Sequence, residues 1–187
     1  MKRRTIRGST MVEVLTASVM SFMVLTGATA ALIFGMAGWT RGQARIDSET
    51  QSQQAIRKVS KMLREAMVVT VDADGQGLTY RLPTLGGDGR FAVPAQWDGV
   101  DRRIAVSGSS LNLVVGGTTR RICANVILSD PKNANNAYRV FTPGAGTITR
   151  QLWMMLATST VSGDRGKTMK SRGREMIFLR NIPQLAK

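Results

Sequence analysis

Residues 14–40 read VLTASVMSFMVLTGATAALIFGMAGWT, 27 consecutive positions without a charged side chain. A bilayer core requires about 20 predominantly apolar residues in a helix, so the run is long enough to span one. Thr16, Ser18, Ser21, Thr26, Gly27, Thr29 and Gly35 soften it; small and hydroxylated residues in a spanning helix let neighbouring helices approach closely. Trp39 closes the run as an interfacial anchor and is followed by Arg41 and Arg45. On the other side lie Lys2, Arg3, Arg4 and Arg7, which predict a cytoplasmic N-terminus.

A secretory signal peptide shares the basic start, and Ala28-Thr29-Ala30 imitates its cleavage site. Two features argue against it. The apolar run continues well past Ala30, and a carboxylate, Glu13, stands where basic and apolar segments meet. Within hydrocarbon an acid costs roughly 2.5–3.5 kcal/mol at the centre of a spanning helix and less near its end, so such residues usually have a partner and a task.

The surrounding residues are Arg7-Gly8-Ser9-Thr10-Met11-Val12-Glu13-Val14-Leu15. They resemble the N-terminal signal of type IV prepilins and pseudopilins: a short basic leader ending in glycine, cleavage after it, and a glutamate at the fifth mature position. The resemblance implies cleavage between Gly8 and Ser9 by a prepilin peptidase, with Ser9 as a candidate site of N-methylation. It also implies that Glu13 neutralises the new amino terminus of an adjacent subunit. Two lone charges in an apolar setting are each expensive, and pairing offsets the cost. Pairing of the Ser9 amine with its own Glu13, one helical turn away, is the other geometry open to it. In that family the first mature residue is usually phenylalanine or another large apolar residue; here it is Ser9.

Downstream, residues 42–67 turn polar but stay helix-compatible. Ala44, Ile46, Ile56, Val59, Leu63, Ala66 and Met67 form an apolar stripe, and no proline occurs before Pro83. One helix is therefore expected from about Thr10 to Met67. β-Branched and alternating segments follow: 68–71, 78–82, 103–106, 111–115, 118–123, 126–128, 138–141, 147–158 and 175–180. Residues 83–101 read as a loop with a short strand at best, and the basic, glycine-rich stretch 162–174 as an exposed hairpin loop. The order is α+β, a long helix packed on an antiparallel sheet, as the resemblance to the pilin fold also implies. The expected division is a leader at 1–8, an apolar membrane and assembly half of the helix at 9–40, an amphipathic half at 41–67 and a β-sheet domain at 68–187. The C-terminal strands, their basic loop and Arg180-Asn181 are similar to minor pseudopilins of the J/W type.

The chain of 187 residues has 26 basic and 12 acidic residues, a net charge of +14. Without the four cations of the first eight positions the excess is still +10. Such a balance suits DNA, an anionic membrane surface or acidic neighbouring subunits. Candidate nucleic-acid contacts are Arg120, Arg121, Lys167, Lys170, Arg172 and Arg174, with Arg102-Arg103 as a further basic pair and Tyr80, Trp97 or Trp153 as stacking partners. The bland alternative is a solvated basic surface.

Catalytic chemistry has little to work with. Histidine is absent, which removes the usual general base and metal ligand. Cys123, the only cysteine, reads as a buried, inert thiol in a strand. Asp72, Asp74, Gly75 and Gln76 loosely match a calcium loop but lack its closing glutamate, leaving an Asp-Gly turn. No catalytic residue, metal or cofactor is expected. The expected role is a non-enzymatic minor pilin or pseudopilin of a type IV pilus or type II secretion-like filament. Its partners would be other pilin subunits, the prepilin peptidase, the inner-membrane assembly platform and the bilayer. A competence-type pilin that binds DNA and a signal-anchored surface protein unrelated to filaments are the alternatives. The expected location is a single-pass membrane protein with an extracytoplasmic C-terminal domain.

Overall fold

In a computed structural model, residues 10–87, 95–130, 133–144, 150–163 and 166–179 are described. Gly8, Ser9 and Arg180-Asn181 lie outside them. Helix α1 runs unbroken from Met11 to Arg64, 54 residues and about 81 Å at 1.5 Å per residue. Thr10 is its N-cap: the extended backbone (φ −76°, ψ 150°) turns the Oγ1 to accept from the Glu13 amide at 3.4 Å. Thr10-Met11-Val12-Glu13 is thus the Thr-x-x-Glu pattern of a helix start, with an acid in the first turn. Lys61 and Arg64 complement the dipole in the last turn, and Ala66 N donates to Leu63 O at 3.1 Å beyond it.

Burial begins only at Ala44. From there Ala44, Ser48, Ser52, Ala55, Ile56, Val59, Ser60 and Leu63 form one buried stripe at helical spacing. Ile46, expected in that stripe, is 60% exposed because it falls on the opposite flank of the helix. Its place is taken by serines, whose small side chains let the sheet come close.

Strands β1 (Val68–Val71), β2 (Gly77–Pro83), β3 (Trp97–Ser107), β4 (Ser110–Val115) and β5 (Thr118–Cys123) form a five-stranded antiparallel meander in sequence order. Val115 pairs with Thr118 around Gly116-Gly117, whose φ values of 54° and 82° are those of a two-residue hairpin turn. β3 begins at Trp97, so the stretch expected as a loop to residue 101 ends earlier; Gly99, at φ 81°, lies within the strand.

The chain continues through β6 (Val126–Ile127), β7 (Ser129–Asp130), β8 (Asn133–Ala137), β9 (Phe141–Pro143), β10 (Gln151–Val161) and β11 (Thr168–Phe178). β10 pairs with β11 over its whole length and with β6 and β9 on its other edge, while β7 and β8 pair with each other. The strand expected at 138–141 is thereby divided: Tyr138–Val140 link β8 to β9.

The basic stretch 162–174 is not a loop throughout: β11 starts at Thr168. Its alternation escapes hydropathy because the helix-facing positions include Ser171 and Gly173. A Cβ added to Gly173 would lie 2.7 Å from Ile56 Cδ1 and 3.2 Å from Ser52 Oγ. A side chain there would require the end of Ile56 to shift.

Both sheets close on the C-terminal half of the helix around one core, with Val59, Leu63, Leu78, Ile104, Leu111, Phe141, Leu152, Met154, Leu156 and Ile177 fully buried. Cys123 is buried beside them, donating to Ala124 O at 3.3 Å, and burial pushes its thiol pKa up despite the opposing influence of Lys58. Asp72–Gln76 make the expected Asp-Gly turn: Gly75 N donates to Asp72 O and Gln76 N to Asp74 Oδ1, each at 2.9 Å. The Asp72 carboxylate is taken by Arg103 at 2.7 Å.

Candidate functional site

The helix from Met11 to Met36 is left almost wholly exposed by the described fold. Met11, Phe22, Met23, Leu25, Leu32, Phe34 and Met36 are each more than 60% exposed, and Trp39 is 75% exposed. The segment is long and apolar enough to cross a membrane, and none of the apolar window is buried. A bare row of this size is unusual on a water-facing surface and marks an interaction site.

Four of its hydroxyls are satisfied within the helix. Thr16 donates to Val12 O at 3.0 Å, Ser18 to Val14 O at 2.7 Å, and Thr26 and Thr29 to Phe22 O and Leu25 O at 2.8 Å. Hydroxyls bonded back to the i−4 carbonyl present mainly their carbon atoms outward, so they can enter hydrocarbon without an orphaned donor. Glu13 is the only ionisable residue of the helix before Arg41, and it sits exposed in the first turn, where the helix dipole favours negative charge.

The basic residues named from sequence do not form one face. Arg120 and Arg121 are exposed on β5, whose last residues Ile122 and Cys123 lie by the flank of the helix that carries Gln51, Gln54 and Lys58. Arg172 and Arg174 lie on β11, by the opposite flank with Gln53 and Arg57. Lys170, Arg172 and Arg174 alternate on the outer face of β11, all exposed, and Lys167 is exposed just before the strand.

Several of these cations are already engaged. Arg174 lies over the Trp153 ring at 4.2 Å, and Arg172 reaches Asp130 at 3.2 Å. Elsewhere Arg81 stacks on Trp97 at 4.3 Å and pairs with Asp101 at 2.7 Å. Arg102 binds Asp98 at 2.6 Å and holds its carboxyl below the usual range. The pair Arg102-Arg103 is therefore largely neutralised by its own fold. Tyr80, named as a stacking partner, is 3% exposed and belongs to the core. Sequence reasoning missed these pairings because each acid is remote from its arginine or reads as a turn residue.

Among the described residues no group of three or more Cys, Asp or Glu side chains is placed to hold a metal ion. The chain matches no protein-family model, no curated protein and no solved structure.

Proposed function

We propose that the chain is a structural subunit of a type IV pilin-like filament, a minor pilin or pseudopilin, processed after Gly8 and assembled through the apolar half of α1. One observation carries this reading: a single 54-residue helix is buried only from Ala44 onward and projects a bare apolar half with a carboxylate in its first turn. A water-soluble domain gains nothing from such a projection. A bilayer covers it before assembly, and the equivalent helices of neighbouring subunits cover it in a filament. Glu13 then supplies the charge that offsets a newly exposed amine, setting the stagger between subunits.

The test is Glu13→Ala in the native host. The variant is expected to accumulate in the membrane, be cleaved after Gly8 and fail to enter filaments. Mature protein that begins at Met1, or that has lost everything up to about Ala30, would remove the reading.

A second reading, DNA binding by a competence-type pilin, has narrower support: the outward row Lys170, Arg172 and Arg174 beside Trp153. It expects salt-dependent binding of double-stranded DNA by the detergent-solubilised chain, lost when Lys170, Arg172 and Arg174 are neutralised together.

A further inference from the structure

β10 and β11 run along the helix, and their paired ends at Val161 and Thr168 lie toward the bare segment. Thr158 is level with Ser48, to which it is hydrogen bonded, and Gly173 is level with Ser52 and Ile56. From Thr158 the strand travels three residues, about 10 Å, to Val161. At 1.5 Å per residue that matches about seven residues of helix, reaching back from Ser48 to the neighbourhood of Arg41. The contacts agree: Thr160, Val161 and Gly163 line a shallow groove with Trp39, Thr40, Gln43, Ala44 and Asp47.

This end of the domain has the composition of a membrane-facing surface. Trp39 and Val161 are exposed at 75% and 66%, and Val161 lies at the end of a strand whose inward side chains are buried. Arg45, Lys167 and Lys170 are exposed around it, against the carboxylate of Asp47 in the groove. An aromatic ring at the headgroup level with basic side chains beside it is the pattern of an interfacial anchor on an anionic leaflet.

We infer that the paired ends of β10 and β11, at Val161 and Lys167, rest on anionic lipid headgroups while the apolar half of α1 spans the bilayer, so that the domain sits on the membrane at two points rather than swinging on one helix. This rests on the membrane reading of α1 given above. The occupant is a lipid surface because the groove is continuous with the end of the apolar helix and its cations ring that same end. A second hinge point limits the tilt of the domain, and withdrawing α1 from the bilayer would break both contacts together.

The experiment uses the full chain in lipid nanodiscs of phosphatidylcholine, with or without phosphatidylglycerol. Val161→Cys carries an environment-sensitive fluorophore, and the buried Cys123 of the unlabelled parent provides the blank. The label is expected to be shielded from acrylamide about threefold better in the anionic nanodiscs. That shielding should disappear in Val161→Cys combined with Lys167→Glu and Lys170→Glu. Equal quenching in the two lipids, or shielding that survives the charge reversal, overturns the contact. A second label at Ile33→Cys, read with a quencher attached to lipid chains, separates the two claims. If the Ile33 label is not quenched, α1 does not span and both fall; if it is quenched while the Val161 label stays open to acrylamide, only the hairpin contact is wrong.

Discussion

Ser48 and Thr158 hold each other reciprocally across 110 residues of chain: Ser48 Oγ donates to Thr158 O at 3.0 Å and Thr158 Oγ1 donates to Ser48 O at 2.7 Å. Both residues are fully buried. The exchange locks the height of the β10–β11 hairpin on the helix, which decides what lies beside Trp39.

Removing one partner leaves the other's polar group buried without its bond. Thr158→Val, nearly equal in volume, should lower the stability of the detergent-solubilised chain by about 1–2 kcal/mol. Ser48→Ala should cost a similar amount, and the double variant less than the sum. Chemical denaturation of the four proteins measures this; strict additivity would mean that the pair is not coupled.

At Gly173, a methyl group would be driven into Ile56 Cδ1. Gly173→Ala should destabilise by about 1–3 kcal/mol through overpacking. Ile56→Val should recover part of the loss by removing the methyl that clashes. A neutral or stabilising Gly173→Ala in thermal melts would show that the helix can retreat from β11 without penalty.

Burial raises the Cys123 thiol above its ordinary value of 9.0 and the Tyr80 and Tyr138 hydroxyls above 10.0. For each group the folded state prefers the neutral form more strongly than the unfolded chain does. Their contribution to stability is therefore complete below these ordinary values and is lost as pH rises through the folded-state ones. Melting temperature should fall on the alkaline side, beginning near 9.0, the ordinary thiol value, and Cys123→Ser should delay the onset. At neutral pH the native thiol should react with alkylating reagents far more slowly than the unfolded chain does.

The sign reverses at Asp98. Its hydrogen bonds from Arg102 lower the carboxyl pKa below the ordinary 3.8. The pair therefore stabilises the fold above that value and ceases to do so as pH falls through the folded-state one. With side chains only 17% and 22% exposed, Arg102→Met should cost about 1–2 kcal/mol at neutral pH and much less in acid. A loss equal at both pH values would assign the effect to packing of the arginine stem.

The long helix and its two halves were legible because both signals are local. An uncharged run from Val14 to Thr40 and an absence of proline before Pro83 need no knowledge of the rest of the chain. The part of the meander at 103–106, 111–115 and 118–123 was readable for the same reason, since short glycine-containing turns separate its alternating segments, whereas the start of β3 at Trp97 was not. The candidate site divided differently. Glu13 stood out by its charge alone, whereas the proposed basic face did not survive as one surface, because β5 and β11 lie by opposite flanks of the helix.

What the sequence determined by itself was therefore an apolar helix half, an amphipathic half and an antiparallel β domain, in that order, since each is written in neighbouring residues. Only the tertiary structure decided that Ser48, Ser52 and Gly173 are packing positions, that 168–174 is strand, and which arginines are already neutralised. Close packing selects side chains too small to register as hydrophobic, and ion pairs join residues that share no local pattern. Both are consequences of which surfaces meet, a matter the order of residues does not record locally.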